Sequence, residues 1–343
     1  MVTHIIDLAR REAYGIRKAA SLLQNGQVVA FPTETVYGLG ASALDEAAIH
    51  RIFEAKGRPK DNPLIVHIAQ TEQLNELVRD VPKNAQTLMT LFWPGPLTII
   101  LPKKQGINPA VSAGLDTLAV RMPSHKAARK LLRACGLPVA APSANRSGRP
   151  SPTDARTVLE DLGGRIPLIL DGGECEVGLE STVVDLSGPV PVLLRPGFVT
   201  LDMLQKALGQ VEVAGGVLGR FEGVAKSPGM KYTHYAPRAD VYLVLGEGDA
   251  RAQKICALYD EQARPCAVLC ARENRPFYGD RRTYDYGSVH DLAAVAHDFF
   301  RILRNLDEDG IETVFMEAVP QSGLGLAIMN RALRSAGFRV IEA

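Results

Sequence analysis

The sequence predicts an α/β protein of two domains, a large first domain built on a mixed sheet and a small βαβ-type second domain. Two observations support this. Short apolar, β-branched runs alternate with helix-periodic segments along most of the chain. A glycine-rich stretch of weak periodicity at 209–238 then separates the first set of elements from the second. The 343 residues suffice for two cores, and 46% apolar with 22% charged residues is ordinary for a globular chain.

The elements follow in order. DLARREAYGIRKAASLLQNG, from Asp7 to Gly26, has helical spacing and a glycine stop, and QVVAFP at 27–32 reads as a buried strand. DEAAIHRIFEAK, from Asp45 to Lys56, is a second amphipathic helix with Asp45 as N-cap and Gly57 as its C-terminal break. Strand-like runs follow at 62–68, 97–101, 117–123, 137–144, 166–173, 181–188 and 191–197. The last three come in direct succession, which predicts hairpins and argues against a simple Rossmann repeat. The boundaries are 1–208 for the first domain, 209–238 for the linker and 239–343 for the second domain. The linker carries Ser227-Pro228-Gly229 and the cluster Tyr232, His234 and Tyr235, more specific than a spacer needs, so it is expected to lie against a site. In the second domain Gly323-x-Gly325 lacks the third glycine and the acidic ribose partner of a dinucleotide fingerprint and reads as packing.

Composition excludes several classes. A net charge of +1 gives no global basic field, so any nucleic-acid contact must be local. The N-terminus lacks a signal-peptide pattern and no apolar run is long enough to span a bilayer, so a cytoplasmic protein with no membrane partner is expected. Five cysteines without a C-x-x-C pair argue against a disulfide framework or a zinc site.

The chemistry is concentrated in the first 200 residues. Lys56-Gly57-Arg58 ends a helix with two cations able to address neighbouring phosphate oxygens, and Ser143-Ala144-Asn145 offers a hydroxyl and a carboxamide two residues apart. Thr33, Thr35 and Tyr37 bring hydroxyls next to glycines. Asn62 and His67 flank an apolar run, and a lone strand histidine such as His67 is more often a satisfied core residue than a ligand. Arg121 and Arg195 interrupt apolar strands and need anionic partners if buried. Glu180, Ser181 and Ser151 add groups suited to a zwitterionic ligand. With neither a Walker A sequence nor a local nucleophile motif, this set suits electrostatic positioning around a phosphorus centre.

The ordered run FPTETVYGLG, KGRPKDNPLIVHI, FWPGPLT, LAVRMPSH, APSANRSGRPSPT, GLESTVVD and LLRPG resembles the YrdC-like family. With SPGMKYTHYAP and a small second domain the chain is similar to its two-domain members, the threonylcarbamoyl-AMP synthases. The resemblance implies a twisted mixed sheet with a concave site, followed by a Rossmann-like α/β C-terminal domain. It implies a nucleotidyltransferase that joins L-threonine, bicarbonate or CO2, and ATP into threonylcarbamoyl-AMP and pyrophosphate, for the t6A37 modification of ANN-decoding tRNAs. Lys56, Arg58, Asn62, Thr117, Ser143, Asn145, Ser151 and Arg195 would hold ATP, with Tyr235 closing over it. Lys56, Arg58, Ser143 and Asn145 would be catalytic, and Thr35, His67, Arg121 and Ser181 would hold threonine. Mg2+ would ride on phosphates and water, with no redox cofactor. Downstream partners would be tRNA threonylcarbamoyl-transfer proteins, with a weak direct tRNA contact. The alternative is a double-stranded RNA or tRNA binding module of the same fold.

Overall fold

The computed structural model describes residues 1–220, 223, 225–227 and 234–343. The chain divides into two compact units. The first holds most of residues 1–217 together with the described linker residues 223 and 225–227; the second holds Gly148–Pro150, Leu218–Arg220 and residues from 234 onward.

Among the described residues, the first unit contains an eleven-stranded mixed sheet. Its order is His4–Asp7, Leu168–Asp171, Val29–Phe31, Gly38–Ser42, Val139–Ala140, Ile65–His67, Thr117–Arg121, Leu97–Pro102, Thr182–Asp185, Val192–Arg195 and Glu212–Val213. The expected succession of hairpins near 166–197 holds only in part. Thr182–Asp185 and Val192–Arg195 pair antiparallel, whereas Leu168–Asp171 lies near the other edge, parallel to His4–Asp7. Local sequence marks a strand but not its neighbour, because pairing is set by which apolar faces meet.

Helices Leu8–Gln24 and Lys126–Cys135 pack together and bury Leu23, Leu131 and Leu132 against Val29, Phe31, Val139 and Leu170. The helix Glu46–Lys56 shows how local rules deliver a functional motif. The Asp45 carboxylate accepts from the Ala48 amide at its start, relieving one unpaired helix donor. At its end Gly57 takes φ +62°, a left-handed conformation that suits glycine. The Arg58 amide then donates to Phe53 O and the Gly57 amide to Glu54 O, a Schellman closure. That turn fixes the direction in which Arg58 leaves the helix.

The second unit carries five parallel strands, ordered Thr283–Asp285, Cys266–Cys270, Thr313–Glu317, Asp240–Val244 and Val340–Ile341. Chain connections diverge from the Cys270 and Glu317 strands, the position where open α/β sheets bind ligands. Here the unit fills that position itself. Buried Glu317 accepts from the Ala271 amide, from Asn274 Nδ2 and from Tyr278 Oη. A Cβ on Gly325 would stand 1.8 Å from Pro320 O, so this glycine is required by backbone packing.

Candidate active site

The two triplets meet. Lys56 Nζ donates to Ser143 O at 2.5 Å, to Asn145 O at 2.6 Å and to Asn145 Oδ1 at 3.3 Å. An ammonium has three protons, and three acceptors surround it. Ser143 Oγ donates to the same Asn145 Oδ1, Asn145 Nδ2 donates to Arg146 O, and the Ser147 amide returns to Lys56 O. Lys56 is 3% exposed; burial pushes its pKa well below the ordinary lysine value and the Arg58 charge adds to this, while Asp161 and Glu180 oppose it. These three hydrogen bonds tie Lys56 to the Ser143–Asn145 loop.

Arg58 Nη2 donates to the carbonyls of Asn62 and Pro63. Asn62 is buried, and its Oδ1 has no hydrogen-bond partner in the protein. Thr117 opens the strand that runs parallel to Ile65–His67, so it stands at the end where Asn62 and Pro63 enter. Lys56, Arg58, Asn62, Thr117, Ser143 and Asn145 are thereby gathered by two strands, one helix end and one loop.

The second group gathers around Arg121. Strand register sets His67 beside Arg121 on one side and Thr98 beside it on the other. The Arg121 guanidinium donates to Thr35 Oγ1 at 2.8 Å and to Gly95 O at 3.3 Å, and meets Glu34 Oε1 at 2.5 Å. Burial raises the Glu34 pKa, but the charge and hydrogen bond of Arg121, helped by the amides of Glu34 and Ser124, outweigh it and hold the carboxyl below its usual value. His67 moves the other way from most histidines. Burial, reinforced by the Arg121 charge, lowers its pKa to about 3, so the ring is neutral. Its Nδ1 lies 3.2 Å from Ile65 O, and the Val139 carbonyl is a second backbone partner of the ring.

Ser181 is held from two sides. Its hydroxyl lies 2.8 Å from Thr98 Oγ1, and Arg195 donates to both its carbonyl and its hydroxyl. Ser151 Oγ donates to Glu180 Oε1, both buried. Thr33 hydrogen-bonds Thr35 and Val36 O, organising the turn, and Tyr37 Oη bridges Gly172 N and Gly173 O. Thr33 and Tyr37 therefore shape the loop that presents Thr35. Glu34 and Thr98 are missing from the sequence-level set. A carboxylate between two threonines in PTETV was a signal for the first; the second needs the strand register.

Part of the linker lies on the same unit. Ala225 is buried against Ile65, Ile100, Ala119, Val183 and Leu194, in the strands that carry His67, Thr98 and Arg121. Lys226 reaches Asp185 at 3.0 Å. Tyr235 belongs to the second unit, where its ring lies 5.1 Å from that of Phe300 and 5.5 Å from the Arg331 guanidinium carbon. Pro228, Gly229 and Tyr232 lie outside the described residues.

The first unit thus gathers buried arginines, hydroxyls, carboxamides and a neutral imidazole, a set suited to an enzyme that holds small anionic molecules. Burial pushes the Cys135, Cys175, Cys266 and Cys270 thiols up, away from the reactive thiolate. Comparison with known proteins is specific. Residues 21–197 match the family described as telomere recombination, and residues 199–337 match the threonylcarbamoyl-AMP synthase C-terminal domain. The Pyrococcus abyssi threonylcarbamoyl-AMP synthase is 47% identical over 99% of this chain and 100% of that protein. The Bacillus subtilis one is 48% identical over 95% and 94%. The structure of P. abyssi Sua5 complexed with L-threonine superposes with a TM-score of 0.93 at 45% identity, covering 100% of both chains. The chain belongs to the threonylcarbamoyl-AMP synthase family, in its two-domain form.

Proposed function

We propose that this protein is a nucleotidyltransferase that condenses L-threonine, bicarbonate or CO2, and ATP into threonylcarbamoyl-AMP and pyrophosphate. The observation that carries the reading is the joining of Lys56-Gly57-Arg58 to Ser143-Ala144-Asn145 in the same unit as the Thr35–Arg121–His67 group. The first assembly suits a polyphosphate and the second an amino acid.

Threonine's carboxylate takes the Arg121 side, where two of the five guanidinium N–H groups remain beyond the three hydrogen bonds already made. Neutral His67 borders the substrate there without adding charge. The amine, once unprotonated, adds to CO2 (supplied directly or from bicarbonate with loss of water) and releases a proton to solvent, giving a carbamate whose oxygen attacks the α-phosphorus; the α–β phosphoanhydride bond breaks and pyrophosphate leaves. Arg58 and Arg195 supply charge to the phosphates. Lys56 acts one step back, keeping Ser143 and Asn145 in place and placing a cationic group below them.

Mg2+ would enter with ATP. Among the described residues no group of three or more His, Cys, Asp or Glu side chains is set up to hold an ion. The ion would be carried on the phosphate oxygens and water, and would neutralise phosphate charge there. The product is an activated acyl group, so a tRNA threonylcarbamoyl-transfer protein must consume it. No helix among the described residues is long and apolar enough to cross a membrane; the proposed setting for that hand-over is the cytoplasm.

The reading is tested by incubating the protein with ATP, Mg2+, bicarbonate and single amino acids, and detecting the adenylate by mass. Threonine-dependent adenylate supports it; pyrophosphate release without an amino acid, or adenylate independent of bicarbonate, overturns it.

A further inference from the structure

Glu34 has an unused oxygen. The side chain is 2% exposed, its Oε1 meets Arg121, and its buried Oε2 has no protein group in hydrogen-bond geometry, although the amides of Glu34 and Ser124 lie near enough to favour the ionised carboxylate. A carboxylate and an arginine left to themselves prefer the parallel two-bond fork. Here the pair does not form it: Nη2 meets Oε1 alone, while Nη1 is turned to Thr35 Oγ1 and Nε to Gly95 O. The pair is held in a one-bond arrangement that leaves one carboxylate oxygen and two guanidinium N–H groups unassigned. A free α-amino acid is a zwitterion, and its recognition calls for an anion facing the amine and a cation facing the carboxylate, a few ångströms apart. Arg121 and Glu34 supply both within one ion pair.

We infer that Glu34 Oε2 accepts the N–H of the substrate's α-amino group, making Glu34 the residue that selects amino acids over amine-free hydroxy acids. This rests on the threonine-binding reading above. Ionised by its contact with Arg121, Glu34 remains an acceptor when the ammonium becomes an amine. It therefore holds the nitrogen through carbamate formation without taking up the proton itself.

A purely structural Glu34, one that only neutralises Arg121, makes a different prediction. Its loss weakens every carboxylate ligand alike. The discriminating experiment is calorimetric binding of L-threonine and of (R)-3-hydroxybutanoate, the same skeleton without the amine, to the full chain and to Glu34→Gln and Glu34→Asp. The inference expects Glu34→Gln to weaken threonine about 10- to 100-fold, the scale of one charge-assisted hydrogen bond. Binding of 3-hydroxybutanoate is not weakened, and Glu34→Asp, which keeps the anion, recovers part of the preference. Equal weakening of both ligands, or no change for threonine, overturns the inference while leaving threonine binding by the wild type intact. Failure of the wild type to bind threonine overturns the functional reading itself, and the inference with it.

Discussion

Lys56 and Ser143 are 87 residues apart in sequence, yet Lys56 Nζ donates to the Ser143 carbonyl at 2.5 Å. The contact makes one lysine the support of the loop that carries the Ser143 hydroxyl and the Asn145 carboxamide. Lys56→Ala leaves the carbonyls of Ser143 and Asn145 without their donor, costing about 1–3 kcal/mol of stability. Turnover should fall further, by about 10²–10³ as for loss of one electrostatic donor. Lys56→Arg should not restore it, since a planar guanidinium does not match three acceptors arranged around a point. Denaturant midpoints and pyrophosphate release check both parts.

The Arg121–Glu34 ion pair is buried on both sides. Arg121→Met strands the Glu34 carboxylate, with an expected cost of about 3–5 kcal/mol. The double variant Arg121→Met with Glu34→Gln should be more stable than Arg121→Met alone, although it binds no threonine. Urea denaturation of the four proteins in a double-mutant cycle measures this, and strict additivity would contradict it.

His67 gives a pH signature. Its folded pKa of about 3 lies below the ordinary 6.5, so between these values the unfolded chain binds a proton that the native chain does not. The stability contribution is complete above pH 6.5 and is lost as pH falls toward 3, by up to about 1.4 kcal/mol per pH unit. His67→Asn should show a flatter profile than wild type in that window. Urea midpoints measured from pH 7 to pH 4 provide the comparison; identical slopes would contradict a neutral buried ring.

Gly57 is constrained by conformation and not by space. A Cβ there would meet nothing within 4 Å, but φ is +62°. Gly57→Ala should cost about 1–2 kcal/mol, and Gly57→Asn less, because asparagine enters the left-handed region more readily. Thermal unfolding of the two variants tests the ranking.

How far the sequence reveals the site differs from residue to residue. The Asp45 cap and the Gly57 break are local, so the position of Lys56-Gly57-Arg58 at a helix end is legible directly. Mixed pairing was legible from the strand-like runs near 166–197, but the place of Leu168–Asp171 near the far edge was not, since it depends on pairing with His4–Asp7. The direction of Lys56 toward Ser143 depends on a contact across the sheet, which a triplet cannot encode. Thr98 was hidden for the same reason, and the carboxylate in PTETV marked Glu34 without showing its partner. Each acquires meaning only through its relation to Arg121, one by strand register and the other by a loop folded back on the guanidinium.

The central claim is that the joined triplets act on ATP while the Arg121 group holds threonine. The most direct measurement is mass detection of threonylcarbamoyl-AMP formed by wild type, Lys56→Ala and Arg121→Met from ATP, Mg2+, bicarbonate and threonine. The account predicts product from the wild type, and for Lys56→Ala a loss that saturating threonine does not rescue. It predicts no threonine-dependent product from Arg121→Met. Wild-type yields from either variant, with the fold intact, would contradict it.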